Sequence, residues 1–158
     1  MIARTGGPRV ITREELDRAR VVIRGQVHRT PLLSTESLGA RCGVRLHVKC
    51  ENLQKTGSYK PRGGVNRIAQ LSADEKRRGV IVMSAGNLAQ GVAYAARQAG
   101  VRCWVSMLQT APAAKIDAVR GYGAEVVLHP DPATWFEGVE ALRARQGAIG
   151  RASCRERV

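Results

Sequence analysis

The sequence predicts an α/β fold, a parallel sheet flanked by helices, and three observations carry that expectation. From Val44 onward, short apolar runs alternate with segments of helical period, in the order strand, helices, strand, helix, strand, helix, strand, helix. The connections between them are short, which makes successive strands parallel with right-handed crossovers. The run Val80-Ile81-Val82-Met83 is apolar throughout, as in a strand covered on both faces.

The elements follow in order. Thr12 and Glu15 form the S/T-x-x-E capping box, with Ile11 and Leu16 placed as its hydrophobic staple. Leu16, Ala19, Ile23 and Val27 recur at helical spacing, so a helix is expected over 13–27, ended by Thr30-Pro31. A short helix over 35–41 closes at Gly43. Residues 45–51 alternate, placing Leu46, Val48 and Cys50 on one buried strand face. After a polar loop over 52–57, Ser58 is placed to cap a helix carrying Val65, Ile68 and Ala69, with Pro61 tolerated in its first turn. Ser72 and Glu75 make a second capping box, and Gly79 ends that helix. Beyond the strand 80–83 and the turn 84–87, an Ala-rich helix spans 88–98, then a strand 101–107. Thr110 caps a helix over 111–120, a strand follows at 125–129, and Asp131 caps a last helix reaching Arg145, with Pro132 at its first position.

Composition bounds the function classes. The 158 residues suit one domain or slightly more. Hydrophobic residues at 44% and charged residues at 25% are ordinary globular usage, so a disordered chain is excluded. The 26 Lys and Arg against 13 Asp and Glu give +13, but the Arg residues are scattered and read as solvated helix faces. The few aromatics do not interleave with a basic run, which counts against a nucleic-acid surface. Cys42, Cys50, Cys103 and Cys154 form no C-x-x-C pair and no zinc spacing with His, so neither a metal site nor a disulfide framework is expected. There is no apolar run of membrane-spanning length and no secretory leader pattern, and the cytoplasm is the expected compartment.

Two places carry chemistry. Lys60 lies between glycines (Gly57, Gly63, Gly64) at a helix start after a strand, where backbone can approach a ligand closely and N–H groups favour anions. A lysine desolvated there acts as nucleophile or base. The turn Ser84-Ala85-Gly86-Asn87 ends a buried strand and opens a helix, so its N–H groups are placed for a carboxylate or phosphate. It is neither a G-x-G-x-x-G nor a P-loop sequence.

The segment from Lys49 to Gly63, KCENLQKTGSYKPRG, resembles the cofactor-lysine segment of threonine dehydratases and their relatives, the fold type II, tryptophan-synthase-β-like enzymes that use pyridoxal 5'-phosphate (PLP). Ser84-Ala85-Gly86-Asn87-Leu88-Ala89-Gln90-Gly91 is similar to that family's substrate loop. Arg29-Thr30-Pro31-Leu32, Ala111-Pro112-Ala113-Ala114-Lys115 and the stretch from Gly121 to Val126 resemble further family stretches, so the likeness runs from Val10 to Gln146. It implies that Lys60 links covalently to PLP and later takes the substrate Cα proton. It implies that Asn87 bonds the cofactor ring oxygen and Tyr59 packs beside the ring. Ser84, Gly86, Asn87, Leu88 and Ala89 would surround the substrate carboxylate.

The implied activity is a threonine or serine ammonia-lyase, giving a 2-oxo acid and ammonia. Alternatives are another fold type II enzyme (serine racemase, threonine synthase or ectoine-utilisation dehydratase) or a basic non-enzymatic binding module. Leu88 stands where many relatives carry His, and Tyr59 where Phe is common. Family members are longer, and their glycine-rich phosphate loop is expected beyond residue 150, so a truncated, inactive chain is one expectation. The resemblance implies residues 1–53 as part of a large domain that is incomplete here, 54–128 as a small αβα domain and 129–146 as the return into the large one. It also implies a homo-oligomer for the full-length form. Residues 147–158 break the pattern and read as a frayed basic terminus or as out-of-frame or vector-derived sequence.

Overall fold

The computed structural model describes residues 10–150. Its centre is a three-stranded parallel sheet built from β3 (Val80–Met83), β4 (Cys103–Leu108) and β5 (Glu125–His129), in that spatial order. The strands alternate their side chains between two covered faces. Val80, Val82, Cys103, Val105 and Met107 belong to one apolar cluster, which takes in side chains of α3 (Lys60–Ala69), α5 (Asn87–Gln98) and α6 (Ala113–Gly121). Ile81 and Trp104 point the other way and join Val139 and Leu142 of α7 (Trp135–Gln146). Burial on both faces explains the unbroken apolar run of β3, and a helix-sheet-helix stack is what the alternation of elements predicted.

Local signals fixed several boundaries. The two capping boxes form as read. Thr12 opens α1 (Arg13–Ile23), and Ser72 opens α4 (Ala73–Arg78), with backbone and carboxylate bonds in both directions. Gly43, with φ 65, closes α2 (Glu36–Cys42) in the left-handed region that glycine adopts without a steric penalty. Strand β5 has the expected limits.

Other expectations are corrected. Residues 45–51 yield only a short strand, β2 (His47–Lys49). It pairs antiparallel with β1 (Leu32–Ser34), which had no sequence signal, and it lies outside the parallel sheet. Its expected buried face is open, Val48 being 41% exposed. Period-2 alternation reports which side chains share a face, not whether anything covers that face. The first helix stops at Ile23, four residues short of Val27, and none of its residues is buried. Ser58 does not cap α3. Tyr59 holds that position without a side-chain bond, and Ser58 is buried with its hydroxyl 3.4 Å from that of Thr56. Thr110 and Asp131 likewise stand outside α6 and α7, whose caps are Pro112 and Thr134. Asp131 Oδ1 instead accepts from the Ala133 N–H at 2.8 Å, because a short acceptor side chain closes a turn as readily as it caps a helix. Of the stretch 147–158, residues 151–158 lie outside the described residues.

Candidate active site

Lys60 is the first residue of α3, and Pro61 follows in the turn where a missing N–H costs nothing. The segment leading into it is pinned at several points. The buried Gln54 side chain accepts from the His28 N–H (2.8 Å) and donates to the His28 carbonyl (2.9 Å). The Tyr122 hydroxyl donates to the Lys55 carbonyl at 3.1 Å. At Gly57 the chain turns with φ 66, and its N–H returns to the Gln54 carbonyl at 2.8 Å. Beyond the lysine, Arg62 forks onto Glu51, Nε to Oε2 at 2.9 Å and an Nη to Oε1 at 2.7 Å.

The other side of Lys60 rests on α5. A Cβ placed on Gly91 would lie 2.7 Å from Lys60 Cβ, and one on Gly64 would lie 2.6 Å from the Gly91 carbonyl oxygen. Two glycines thus bring α3 and α5 together at the turn bearing the lysine, in the way small residues permit close backbone approach. Because Gly91 is in the second turn of α5, directly after β3, Lys60 lies toward the carboxyl end of that strand, where ligands of open α/β sheets bind.

Lys60, Tyr59 and Leu88 share one cleft of about 910 Å³, whose wall continues along α3 through Gly63, Gly64 and Arg67 and along β3 through Met83. The lysine is half-buried, and its Nζ sits 4.8 Å from the centroid of the exposed Tyr59 ring. Among the described residues no carboxylate pairs with it. Glu51 is engaged by Arg62, which with a hydrogen bond from Thr30 holds its carboxyl down at about 2 against the opposing effect of burial.

The loop residues are placed unequally. Asn87 is the exposed first residue of α5, and Gly86 caps it with no side-chain bond to the first turn. The N–H groups opening α5 are therefore left to a ligand or water. The Ser84 hydroxyl accepts from the Gly86 N–H at 3.2 Å and so stabilises the turn itself. Ala89 is fully buried in the core, backbone included, so the structure does not present it to a ligand. Leu88 alone of this loop lines the cleft with Lys60.

Sequence reasoning missed the Glu51–Arg62 fork, the Gln54 clamp and the helix crossing at Gly64 and Gly91. The first two lie in the very segment that carried the resemblance, but their pairing depends on the path of the chain. The unusual signal for the third was a glycine inside each helical pattern, which is costly unless packing demands it.

Among the described residues Lys60 thus has no carboxylate partner, and it stands on the α3–α5 crossing with the Tyr59 ring beside its amine. Residues 23–152 match the family described as pyridoxal-phosphate dependent enzyme. The L-threonine ammonia-lyase of Thermotoga maritima is 45% identical over 143 residues, covering 89% of this chain and 35% of that one. The serine racemase of Dictyostelium discoideum is 40% identical over 73% of this chain and 36% of its own. The maize serine racemase structure superposes with a TM-score of 0.80 at 32% identity, over 86% of this chain and 42% of that one. The chain belongs to the pyridoxal-phosphate dependent enzyme family, with the fold type II architecture, and it spans about a third of the length of the curated relatives it matches.

Proposed function

We propose that the polypeptide this chain represents is a PLP-dependent ammonia-lyase acting on threonine or serine. Most weight rests on one observation: Lys60 opens α3 on the Gly91 surface and shares its cleft with Tyr59 and Leu88. The residues suit the cofactor. Lys60 Nζ offers an amine for its aldehyde, the Tyr59 ring a face for its pyridine, and Asn87 an amide for its ring oxygen. When bound, PLP supplies an electron sink for the bonds at the substrate Cα.

The chain's own groups do the rest. Lys60 Nζ would serve as the base for the substrate Cα proton, a role that the lack of a pairing carboxylate among the described residues leaves open to it. The N–H groups of Asn87 and Leu88, at the positive end of α5, receive the substrate carboxylate. The Ser84–Gly86 bond keeps that turn in shape. Leu88 gives the cleft an apolar wall where a β-methyl can pack.

In this reading residues 1–53 and 129–146 belong to a large domain and 54–128 to a small one. The compartment is cytoplasmic and the full-length form is a homo-oligomer. No helix among the described residues is long and apolar enough to cross a membrane. Apart from Arg62, the basic side chains seen paired among the described residues, such as Arg20 with Asp17, Arg77 with Asp74 and Arg143 with Glu140, bond to acids on their own helices. That favours solvated helix faces over a nucleic-acid surface.

The test is absorbance of the purified chain mixed with PLP, beside Lys60→Ala. The reading requires a lysine-bound cofactor band that the variant lacks, together with 2-oxo acid release from threonine or serine by the full-length polypeptide. A folded wild type without that band contradicts it.

A further inference from the structure

We propose that the outer edge of β3 docks an extended peptide strand supplied by a partner. The strand lies parallel to β3, acidic on the side that faces α3 and apolar on the other. The site does not depend on the reading of Lys60 as the cofactor lysine.

The ladder defines the edge. The Val80 N–H donates to the Arg102 carbonyl at 2.8 Å and the Ser84 N–H to the Ser106 carbonyl at 3.1 Å. Even-numbered residues of β3 therefore turn their backbone groups toward β4, and odd-numbered ones turn them away. On that outer side the chain returns for a single parallel rung at Ile149. The Ile81 N–H donates to the Ile149 carbonyl and the Ile149 N–H to the Gly79 carbonyl, both at 2.9 Å. One rung further, the Ile81 carbonyl and the Met83 N–H have no partner among the described residues. A strand with open donors and acceptors is a template for another chain, and the Ile149 rung sets the parallel direction.

The walls state what that chain must carry. Val82 and Ile149 face the apolar cluster that includes α3, whereas Ile81, Met83 and Ala148 face the α7 side. A residue bonded to both Ile81 and Met83 lies opposite Val82, so its side chain points toward α3. There the cleft is lined by Lys60, Gly63 and Arg67, one helix face at i, i+3 and i+7. A Cβ on Gly63 would meet nothing within 4 Å, so the space between the two cations is open. No Asp or Glu lines the cleft. Arg62 is matched by Glu51, but exposed Arg67 has no acidic partner among the described residues. Acidic side chains on the α3 side would meet this unbalanced charge. Apolar ones on the other side would extend the row of Ile81 and Met83. The chain's net charge of +13 steers such a partner toward it.

The probe is a labelled six-residue peptide of alternating glutamate and valine with both termini blocked, titrated into the 158-residue chain by fluorescence anisotropy. Saturable binding is expected, with slower hydrogen exchange at the Met83 amide. In the parallel register the residues that point at α3 are also those that bond β3. N-methylation of the glutamates should therefore weaken binding by about tenfold or more, while N-methylation of the valines should leave it within about twofold. The two methylated peptides share composition and charge, which separates pairing at the edge from attraction to a basic protein. Arg67→Glu should weaken binding about tenfold. Arg120→Glu, outside the cleft and paired with Asp117 on its own helix, should leave it nearly unchanged.

No binding, an unchanged Met83 amide, or equal effects of the two methylations overturns the proposal. A loss caused by the valine methylations instead would mean an antiparallel strand and also overturns it. Binding by a chain ended at Gly150 but not by the full chain would assign the edge to the chain's own terminus, against a partner.

Discussion

Residues 10–53 and 58–142 of this chain are held together in different ways. The second region buries apolar side chains on both faces of a sheet, and Val105, Met107, Val119 and Val139 are fully enclosed. The first buries almost none. Val21, Leu32, Leu33 and Val44 all stand more than half exposed, and besides the partly buried Ile23 and Val27 the two regions join through polar ties at Gln54, Arg62 and Tyr94. Burial is non-directional and scales with area. Hydrogen bonds and forks specify geometry while adding little net stability. The region that stabilises the fold is therefore distinct from the ties that orient the lysine, although both converge on α3.

The largest expected effect separates the two regions directly. Met107→Ala should cost about 2–5 kcal/mol of unfolding free energy, while Leu33→Ala should cost under about 0.5 kcal/mol. Urea melts of the two variants check this, and comparable losses would show that the N-terminal region has a core of its own. Gly91→Ala should come next, at about 1–3 kcal/mol, since its methyl must displace Lys60 or part the two helices. The same melts, and weakened PLP capture by Lys60, read it out.

Acid should act on the ties. The Glu51 carboxyl is held at about 2 in the folded chain against 4.5 ordinarily. Because the folded value is depressed, the stabilisation is fully present above pH 4.5 and is lost as the pH falls from there toward 2. It should amount to about 1–2 kcal/mol after allowance for solvent screening. Glu51→Gln should flatten that part of the stability profile. Gln54→Ala should have a smaller and local effect, about 1 kcal/mol, seen as faster hydrogen exchange at the His28 amide. The smallest intervention is thiol labelling. Burial pushes the Cys103 thiol up to about 12, so it should resist alkylation at neutral pH in the folded chain, whereas exposed Cys42 should react.

Much of the second region was legible in the sequence. Its strands are apolar because they are covered twice, and its Ser72–Glu75 capping box is local chemistry read within four residues. The parallel order follows from short alternating connections. Lys60 was proposed from the glycines around it and the family resemblance of its segment. The first region was less so. The pattern at Leu46, Val48 and Cys50 and the stripe along α1 mark apolar faces, but nothing in a pattern says what covers them. The caps assigned to Ser58, Thr110 and Asp131 failed for a related reason, since a hydroxyl or carboxylate has several backbone donors within reach and the surrounding chain selects among them.

The sequence by itself determined the α/β class, the parallel sense of the strands at 80–83, 103–108 and 125–129 and the lysine proposed for the site, because periodicity, turn chemistry and motif residues act over short spans. Only the tertiary structure decided that Glu51 would fork onto Arg62, that Gln54 would clasp His28, and that Gly64 and Gly91 would bring two helices into contact behind Lys60. Each of these joins residues separated by 11 to 27 positions, and contacts at that range are set by how the core folds the chain back on itself.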